Sequence, residues 1–186
     1  MGEGTEAFVS VDIETAGPNP ADYSLLAIGA CLVADPTRTF YVELRPINDQ
    51  ATDEALAVSG LSLQRLAAEG VLPPEAMARF EAWLKEAAPE GHRPIFVGFN
   101  APFDWMFVND YFHRFLGRNP FGHSALDLKA FFMGLTGSRW GETSMRHVTA
   151  RYLGERELSH HALQDALDQA ELLRQMLAEA RDSNKD

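Results

Sequence analysis

The segment "FVSVDIETAG", residues 8–17, alternates in polarity and is rich in β-branched residues, which predicts a β-strand over residues 8–14. Because successive side chains of a strand point to opposite faces, Asp12 and Glu14 share one face. Two neighbouring carboxylates repel each other, and a hard divalent cation such as Mg²⁺ or Mn²⁺ would compensate their charge. The same pattern is typical of the solvated face of an edge strand, and the spacing alone leaves both interpretations open.

Three further segments have the composition of strands. "SLLAIGACLVA", residues 24–34, and "TFYVELRPI", residues 39–47, follow the first strand through links too short for crossover helices, so we expect an antiparallel meander. "PIFVGF", residues 94–99, is a continuous apolar run typical of a buried central strand.

Helices are predicted between and after these strands. Their segments are 52–69 (interrupted at "SGLS"), 73–91, 101–117, about 124–135, 142–153 and 160–181. Together the elements indicate a mixed α/β sheet with helices packed on its faces. We expect a single domain over residues 1–181 and a frayed tail over 182–186.

Composition restricts the function. The net charge of −11 argues against sequence-blind coating of duplex nucleic acid, although it permits an enzyme that holds a few nucleotides. A single cysteine, Cys31, excludes a disulfide framework and a thiolate metal cage. With neither an apolar span nor a secretory signal in the sequence, we expect a cytoplasmic protein with no membrane partner.

A second polar motif, "FNAPFDW", follows the predicted strand at residues 94–99. Asn100 can cap the next helix, and Asp104 lies in its first turn, where a carboxylate complements the helix dipole. Open α/β sheets also bind ligands at the carboxyl ends of strands, so Asp104 is equally a candidate third carboxylate of a site.

The third motif is "SHHALQDA", residues 159–166. In a uniform helix His161 and Asp165 are one turn apart, whereas positions 160 and 165 differ by about 140°. Helix geometry therefore favours His161 as the partner of Asp165, unless His160 precedes the helix. Spacing alone does not decide between them, and an ordinary surface pair is a further possibility.

Taken in order, the three motifs resemble those of the DEDDh exonucleases, also called DnaQ-like or RNase T-like. The family patterns are Asp-x-Glu-Thr-x-Gly, Asn-x-x-Phe-Asp-x-x-Phe and His-x-Ala-Leu-x-Asp-Ala, and the resemblance spans residues 8–170. It implies a ribonuclease H-like mixed sheet, with an antiparallel N-terminal meander plus parallel strands, flanked by helices. Only a start at His160 aligns the third pattern, which makes His160 the family histidine and His161 the variable residue after it.

The resemblance also implies the chemistry. Asp12, Glu14, Asp104 and Asp165 would hold two divalent cations, Mg²⁺ or Mn²⁺, with Asp12 shared between them. His160 would act as general base, since histidine ordinarily titrates near pH 6.5. The expected reaction is 3′–5′ exonucleolytic hydrolysis of single-stranded or short RNA or DNA with a free 3′ end, giving nucleoside 5′-monophosphates.

The expected substrate contacts also follow from the resemblance. They are Thr15, Ala16, Gly17, Leu61, Asn100 and Phe103. Phe103 is equally interpretable as a core residue of its helix. Two positions depart from the family pattern: Ser59 replaces the histidine of a His-Gly-Ile-Thr segment, and Phe99 stands where histidine is frequent. These departures affect possible substrate contacts and not the four carboxylates.

Two other functions fit the same motifs. One is a non-catalytic relative that only binds nucleic acid or a partner, and the other is a proofreading or accessory subunit of a larger assembly. Because all five catalytic positions are filled, an active enzyme is the leading hypothesis. A homodimer is expected by analogy with stand-alone members of the family.

Overall fold

The computed structural model describes residues 5–154 and 159–183. Within them, five strands form one sheet in the order β3-β2-β1-β4-β5. The strands are β1 Glu6–Thr15, β2 Leu25–Leu32, β3 Asp35–Glu43, β4 Arg93–Gly98 and β5 Ala125–Asp127. The first three strands pair antiparallel, whereas β1 with β4 and β4 with β5 pair parallel. The predicted mixed sheet with an N-terminal meander is therefore confirmed.

Seven α-helices pack around this sheet in the described part of the chain. They are α1 Asp53–Ser59, α2 Leu63–Glu69, α3 Pro73–Ala87, α4 Ala101–Leu116, α5 Leu128–Thr136, α6 Met145–Tyr152 and α7 Ala162–Ser183. A short 3₁₀ helix, Trp140–Glu142, precedes α6. None of the helices in the described residues has both the length and the apolar character needed to cross a membrane.

The two faces of the sheet carry separate apolar cores. On one face, β1 residues such as Val11 and Ile13 pack with side chains of α3 and α4, including Phe80 and Phe107. On the other face, side chains of β2 and β4 pack with α5, α6 and α7. Asp12 and Glu14 belong to this second face, because strand side chains alternate.

The central position of β1 excludes one interpretation of its carboxylates. β1 is the central strand, paired with β4 over Glu6–Ser10 and with β2 over Val9–Thr15, so Asp12 and Glu14 do not belong to an edge strand. The backbone of α7 crosses close to the neighbouring β2 at Gly29, where a Cβ atom would come within 2.2 Å of the carbonyl carbon of Ala162. Gly29 is paired with Asp12, so the start of α7 lies beside the carboxylates.

Several predicted boundaries were wrong. β3 begins at Asp35 and ends at Glu43, earlier than the predicted segment 39–47. The helix predicted from about residue 124 begins at Leu128 because residues 125–127 form β5, and the helix predicted from residue 142 begins at Met145 because the Ser144 side chain caps it.

The C-terminal helix also differs from its prediction. It begins at Ala162 rather than at residue 160 and continues to Ser183, two residues into the predicted tail. The rest of that tail, 184–186, lies outside the described residues.

Candidate active site

Three carboxylates converge where β1 meets the start of α7. Asp12 and Glu14 lie on β1, and Asp165 lies in the first turn of α7. Each offers one oxygen atom, and these oxygens all lie within 4.8 Å of one another. The packing of α7 on the sheet thus brings together Asp12 and Asp165, which are 153 positions apart in the chain (165 − 12).

The fourth carboxylate, Asp104, reaches the same site from α4. It lies in the first turn of that helix and is only 5% exposed. Its Oδ1 accepts a hydrogen bond of 3.2 Å from the backbone N–H of Ile13, the residue between Asp12 and Glu14. This bond fixes the first turn of α4 against the middle of the carboxylate pair on β1.

Burial and mutual repulsion disfavour the ionised forms of Asp12, Glu14 and Asp104. Burial raises the pKa of Asp12 well above its ordinary value, and the charges of Asp104, Asp165 and Glu14 add to the effect. Burial, followed by the charge of Asp165, raises the pKa of Glu14 to about 7. Burial also raises the pKa of Asp104 to about 8, although backbone hydrogen bonds oppose the shift.

The donor set fits hard divalent cations. Carboxylate oxygens are the ligands that Mg²⁺ and Mn²⁺ prefer, and a cation removes the repulsion that keeps several acids apart. The oxygens of Asp12, Glu14 and Asp165 are close enough to share one ion. Asp104 is positioned beside them through Ile13.

A cleft of about 560 Å³ opens over the carboxylates. This volume suits a ligand of one or a few small building blocks. The predicted site residues that line it are Asp12, Glu14, Thr15, Gly17, Asn100, Phe103, Asp104, His160 and Asp165. Nine of the eleven residues proposed from the sequence thus surround one cavity.

The other two proposed residues, Ala16 and Leu61, do not line the cleft. Ala16 is fully buried, and Leu61 packs in the same small apolar cluster, together with Leu26 and Leu66. Their direct contact with substrate stays a prediction. The apolar wall on this side of the cleft is formed by Ala55 and Val58 of α1, which the sequence motifs did not indicate.

The two adjacent histidines have different surroundings. His160 precedes α7, has a left-handed backbone with φ of 49°, and lines the cleft. His161 stacks on Tyr41 of β3, with ring centroids 4.8 Å apart, and its carbonyl accepts the N–H of Asp165 as the helix begins. His160 is therefore outside the helix, as the motif register required.

The capping prediction for Asn100 was wrong. Its backbone is left-handed, with φ of 63°, and its side chain makes no capping hydrogen bond. The carboxylate of Asp127 instead accepts the N–H of Ala101 at 2.7 Å and that of Ala130 at 2.7 Å. Asp127 thus supports the starts of both α4 and α5. An aspartate directly before an apolar run is a recognisable capping signal.

Two other polar residues next to the carboxylates were not predicted. Ser159 donates to Asp165 Oδ1 through its hydroxyl, at 2.9 Å, and its backbone N–H, at 3.3 Å. Gln169, which is 1% exposed, donates from Nε2 to Asp12 Oδ1 at 2.6 Å. No local sequence pattern identifies either contact.

Comparison with known proteins agrees with this geometry. A family model described as the 3′–5′ exoribonuclease Rv2179c-like domain matches residues 7–177. The chain belongs to this family. The 3′–5′ DNA exonuclease Cap18 of Escherichia coli is 44% identical over 169 residues, which cover 91% of this chain and 90% of that protein. The prediction of a DEDDh-type 3′–5′ exonuclease is thereby confirmed.

Solved structures show the same fold at low sequence identity. The nuclease domain of 3′hExo, a DEDDh family member bound to rAMP, has a TM-score of 0.76 at 18% identity and covers 95% of this chain and 94% of that one. Escherichia coli exonuclease I in complex with a dA16 oligonucleotide has a TM-score of 0.75 at 17% identity, covering 95% of this chain and 42% of that one. The ribonuclease H-like architecture is therefore confirmed.

Proposed function

We propose that this exonuclease hydrolyses single-stranded or short nucleic acid from a free 3′ end with two divalent cations, Mg²⁺ or Mn²⁺, and that His160 is its general base. The observation that carries the proposal is the convergence of three carboxylate oxygens within 4.8 Å in a cleft that His160 and Asp104 also line. In such a site, two divalent cations supply activation of the attacking water and stabilisation of the leaving 3′-oxygen.

Each group of the chain has a separate task in this proposal. Asp12 would help to hold both cations, Glu14 and Asp165 would complete the site on the side of the attacking water, and Asp104 would complete the other. His160 accepts the proton that the attacking water loses as the new phosphorus–oxygen bond forms. The left-handed turn at residue 160 supports this role, because it keeps the imidazole outside α7 while Asp165 remains in its first turn.

The cleft is suited to the last nucleotide of a strand. Thr15 and Gly17 line it beyond the carboxylates, and Asn100 and Phe103 line it at the start of α4. The ring of Phe103 also packs against the larger core, with its centroid 5.6 Å from that of Phe107, so a nucleotide would meet a supported aromatic surface. We infer that these residues bind the terminal nucleotide.

DNA is the substrate we favour. The family description names RNA, whereas the relative that shares 44% identity over most of both chains is named a DNA exonuclease. The net charge of −11 does not separate DNA from RNA, but it favours contacts with a strand end over contacts along a duplex.

A degradation assay tests the proposal. Single-stranded DNA, single-stranded RNA, duplexes and very short oligomers, each labelled at the 5′ end, are incubated with the protein and Mg²⁺ or Mn²⁺. We expect stepwise shortening of the single strands, fastest for DNA, and no shortening by Asp12→Ala or in EDTA. Intact substrates with every metal would contradict catalysis and favour a protein that only binds nucleic acid.

A further inference from the structure

Gln169 links the catalytic carboxylates to the sheet. It lies on α7 one turn after Asp165 and is almost completely buried. Its Oε1 accepts the backbone N–H of Phe99 at 3.0 Å, and its Nε2 donates to Asp12 Oδ1 at 2.6 Å. One amide therefore connects α7 with β1 and with the end of β4.

These two contacts fix the orientation of the amide. In the opposite orientation, the amide NH₂ would face the N–H of Phe99 and the amide oxygen would face the Asp12 carboxylate. The pair at Phe99 would be repulsive in every case, because both partners are donors, and the pair at Asp12 would be repulsive whenever that carboxyl group is ionised to bind a cation. The Nε2 donor of Gln169 is thus held in place for Asp12.

We propose that Gln169 is a positioning residue of the catalytic centre, which holds the Asp12 carboxylate in the orientation required to bind divalent cations. This inference rests on the proposed function. A carboxylate has several acceptor sites, so one hydrogen bond to Oδ1 limits its rotation and leaves other lone pairs for a cation. Partners of this kind orient metal ligands, and their loss typically reduces metal affinity or activity by about 10–100-fold.

The substitution Gln169→Met tests the inference, because methionine has a similar length and neither donates nor accepts at these positions. Gln175→Met is the matched control: Gln175 lies on the exposed side of the same helix, and its Nε2 donates to Glu171 Oε1 at 2.7 Å. Titration calorimetry, at a temperature well below the unfolding temperature of each variant, gives the Mn²⁺ dissociation constant. A turnover assay on a single-stranded oligonucleotide gives kcat and KM.

We expect Gln169→Met to weaken Mn²⁺ binding by about tenfold or more and to lower kcat while KM for the oligonucleotide changes little. Gln175→Met should match the parental protein in both. A folded Gln169→Met protein with parental Mn²⁺ affinity would overturn the inference, since a purely structural role lowers stability without changing the affinity of the folded protein.

A second variant decides the matter if Gln169→Met does not fold. Gln169→Glu keeps an oxygen that accepts the N–H of Phe99, but when ionised it has no proton to donate to Asp12. We expect its kcat to fall about tenfold or more. Parental kcat in Gln169→Glu up to about pH 9, where a buried carboxyl group is ionised to a large extent, would show that only the link to Phe99 matters and would overturn the inference.

The binding measurement separates this inference from the proposed function. A parental protein that binds Mn²⁺ but shortens no oligonucleotide would contradict the proposed function, and the effect of Gln169→Met on Mn²⁺ affinity would still decide the role of Gln169. A parental protein that binds no Mn²⁺ would contradict both.

Discussion

His160 and His161 are consecutive residues, yet His160 lines the carboxylate cleft while the ring of His161 stacks on Tyr41 with its centroid 4.8 Å away. The positive φ of His160 produces this separation, because it turns the chain immediately before α7 begins. The pair therefore offers two neighbouring positions at which the same substitution is expected to have different effects.

His160→Ala should lower turnover by about 10²–10⁴-fold, the usual contribution of a general base, and leave Mn²⁺ binding unchanged because the four carboxylates remain. His161→Ala should keep turnover near the parental value and lose about 0.5–1 kcal/mol of stability with the stack on Tyr41. Single-turnover rates, calorimetric Mn²⁺ titration and urea unfolding measure the three quantities. Equal losses of turnover in the two variants would show that His160 is not the base.

Much of the site could be predicted from local sequence. The period of two along β1 places Asp12 and Glu14 on one face, and the position of Asp104 directly after a strand places it at the same end of the sheet. The choice between the histidines was different. Helix periodicity favours His161, whereas the motif register favours His160. Periodicity could not identify His160, because it assumes a continuous helix and His160 has a positive φ that ends the helical geometry before Ala162.

The residues that support the site could not be predicted because their partners are distant in sequence. Gln169 and Asp12 are 157 positions apart, and Asp127 supports Ala101 from 26 positions away. Such contacts depend on how α7 and α4 pack on the sheet, which no local pattern encodes. Gln169 in a helical sequence resembles any other polar residue, although its side chain is buried.

The metal-free protein should lose stability as pH rises. Burial, followed by the charge of Asp165, raises the pKa of Glu14 to about 7, and burial raises that of Asp104 to about 8, above the ordinary values of about 4 for these acids. At pH values below those ordinary pKa values, the neutral forms make their full contribution to the stability of the folded state. This contribution is lost as the pH rises through the folded-state pKa values of about 7 and about 8. Mg²⁺ compensates the charges, so its stabilising effect should be larger at pH 8 than at pH 5.5.

Thermal unfolding in EDTA and in MgCl₂ across this pH range measures both effects. Asp104→Asn is the control. The asparagine oxygen still accepts the N–H of Ile13, but the substitution removes one of the acids, so the decrease of melting temperature with rising pH in EDTA should become shallower. A melting temperature in EDTA that rises from pH 5.5 to 8, or a Mg²⁺ effect independent of pH, would contradict the expected carboxylate repulsion.

Gly29→Ala should displace the start of α7. A Cβ atom at Gly29 would lie 2.2 Å from the Leu163 nitrogen and from the Ala162 carbonyl carbon, which are backbone atoms and must move as a unit. We expect a loss of about 1–3 kcal/mol in unfolding free energy, as for other overpacked sites, and a fall in turnover because Asp165 moves with the helix.

Gly134→Ala is the matched control for this substitution. Gly134 lies within α5, and a Cβ atom there meets nothing within 4 Å, so alanine should stabilise the helix by about 0.5–1 kcal/mol and leave turnover unchanged. Urea unfolding and a turnover assay of both variants provide the comparison. Parental stability and turnover in Gly29→Ala would show that α7 does not pack this closely on β2.

Asp127→Ala should release the start of α4, because the Asp127 carboxylate accepts the N–H groups of both Ala101 and Ala130. We expect a stability loss of about 1–3 kcal/mol and lower turnover, since Asp104 lies in the first turn of α4. Asp127→Ser separates the two bonds: serine caps α5 well but is too short to hold Ala101 as well, so stability should recover in part while turnover stays low. Urea unfolding and turnover of the two variants test this, and parental turnover in Asp127→Ser would mean that the bond to Ala101 does not position Asp104.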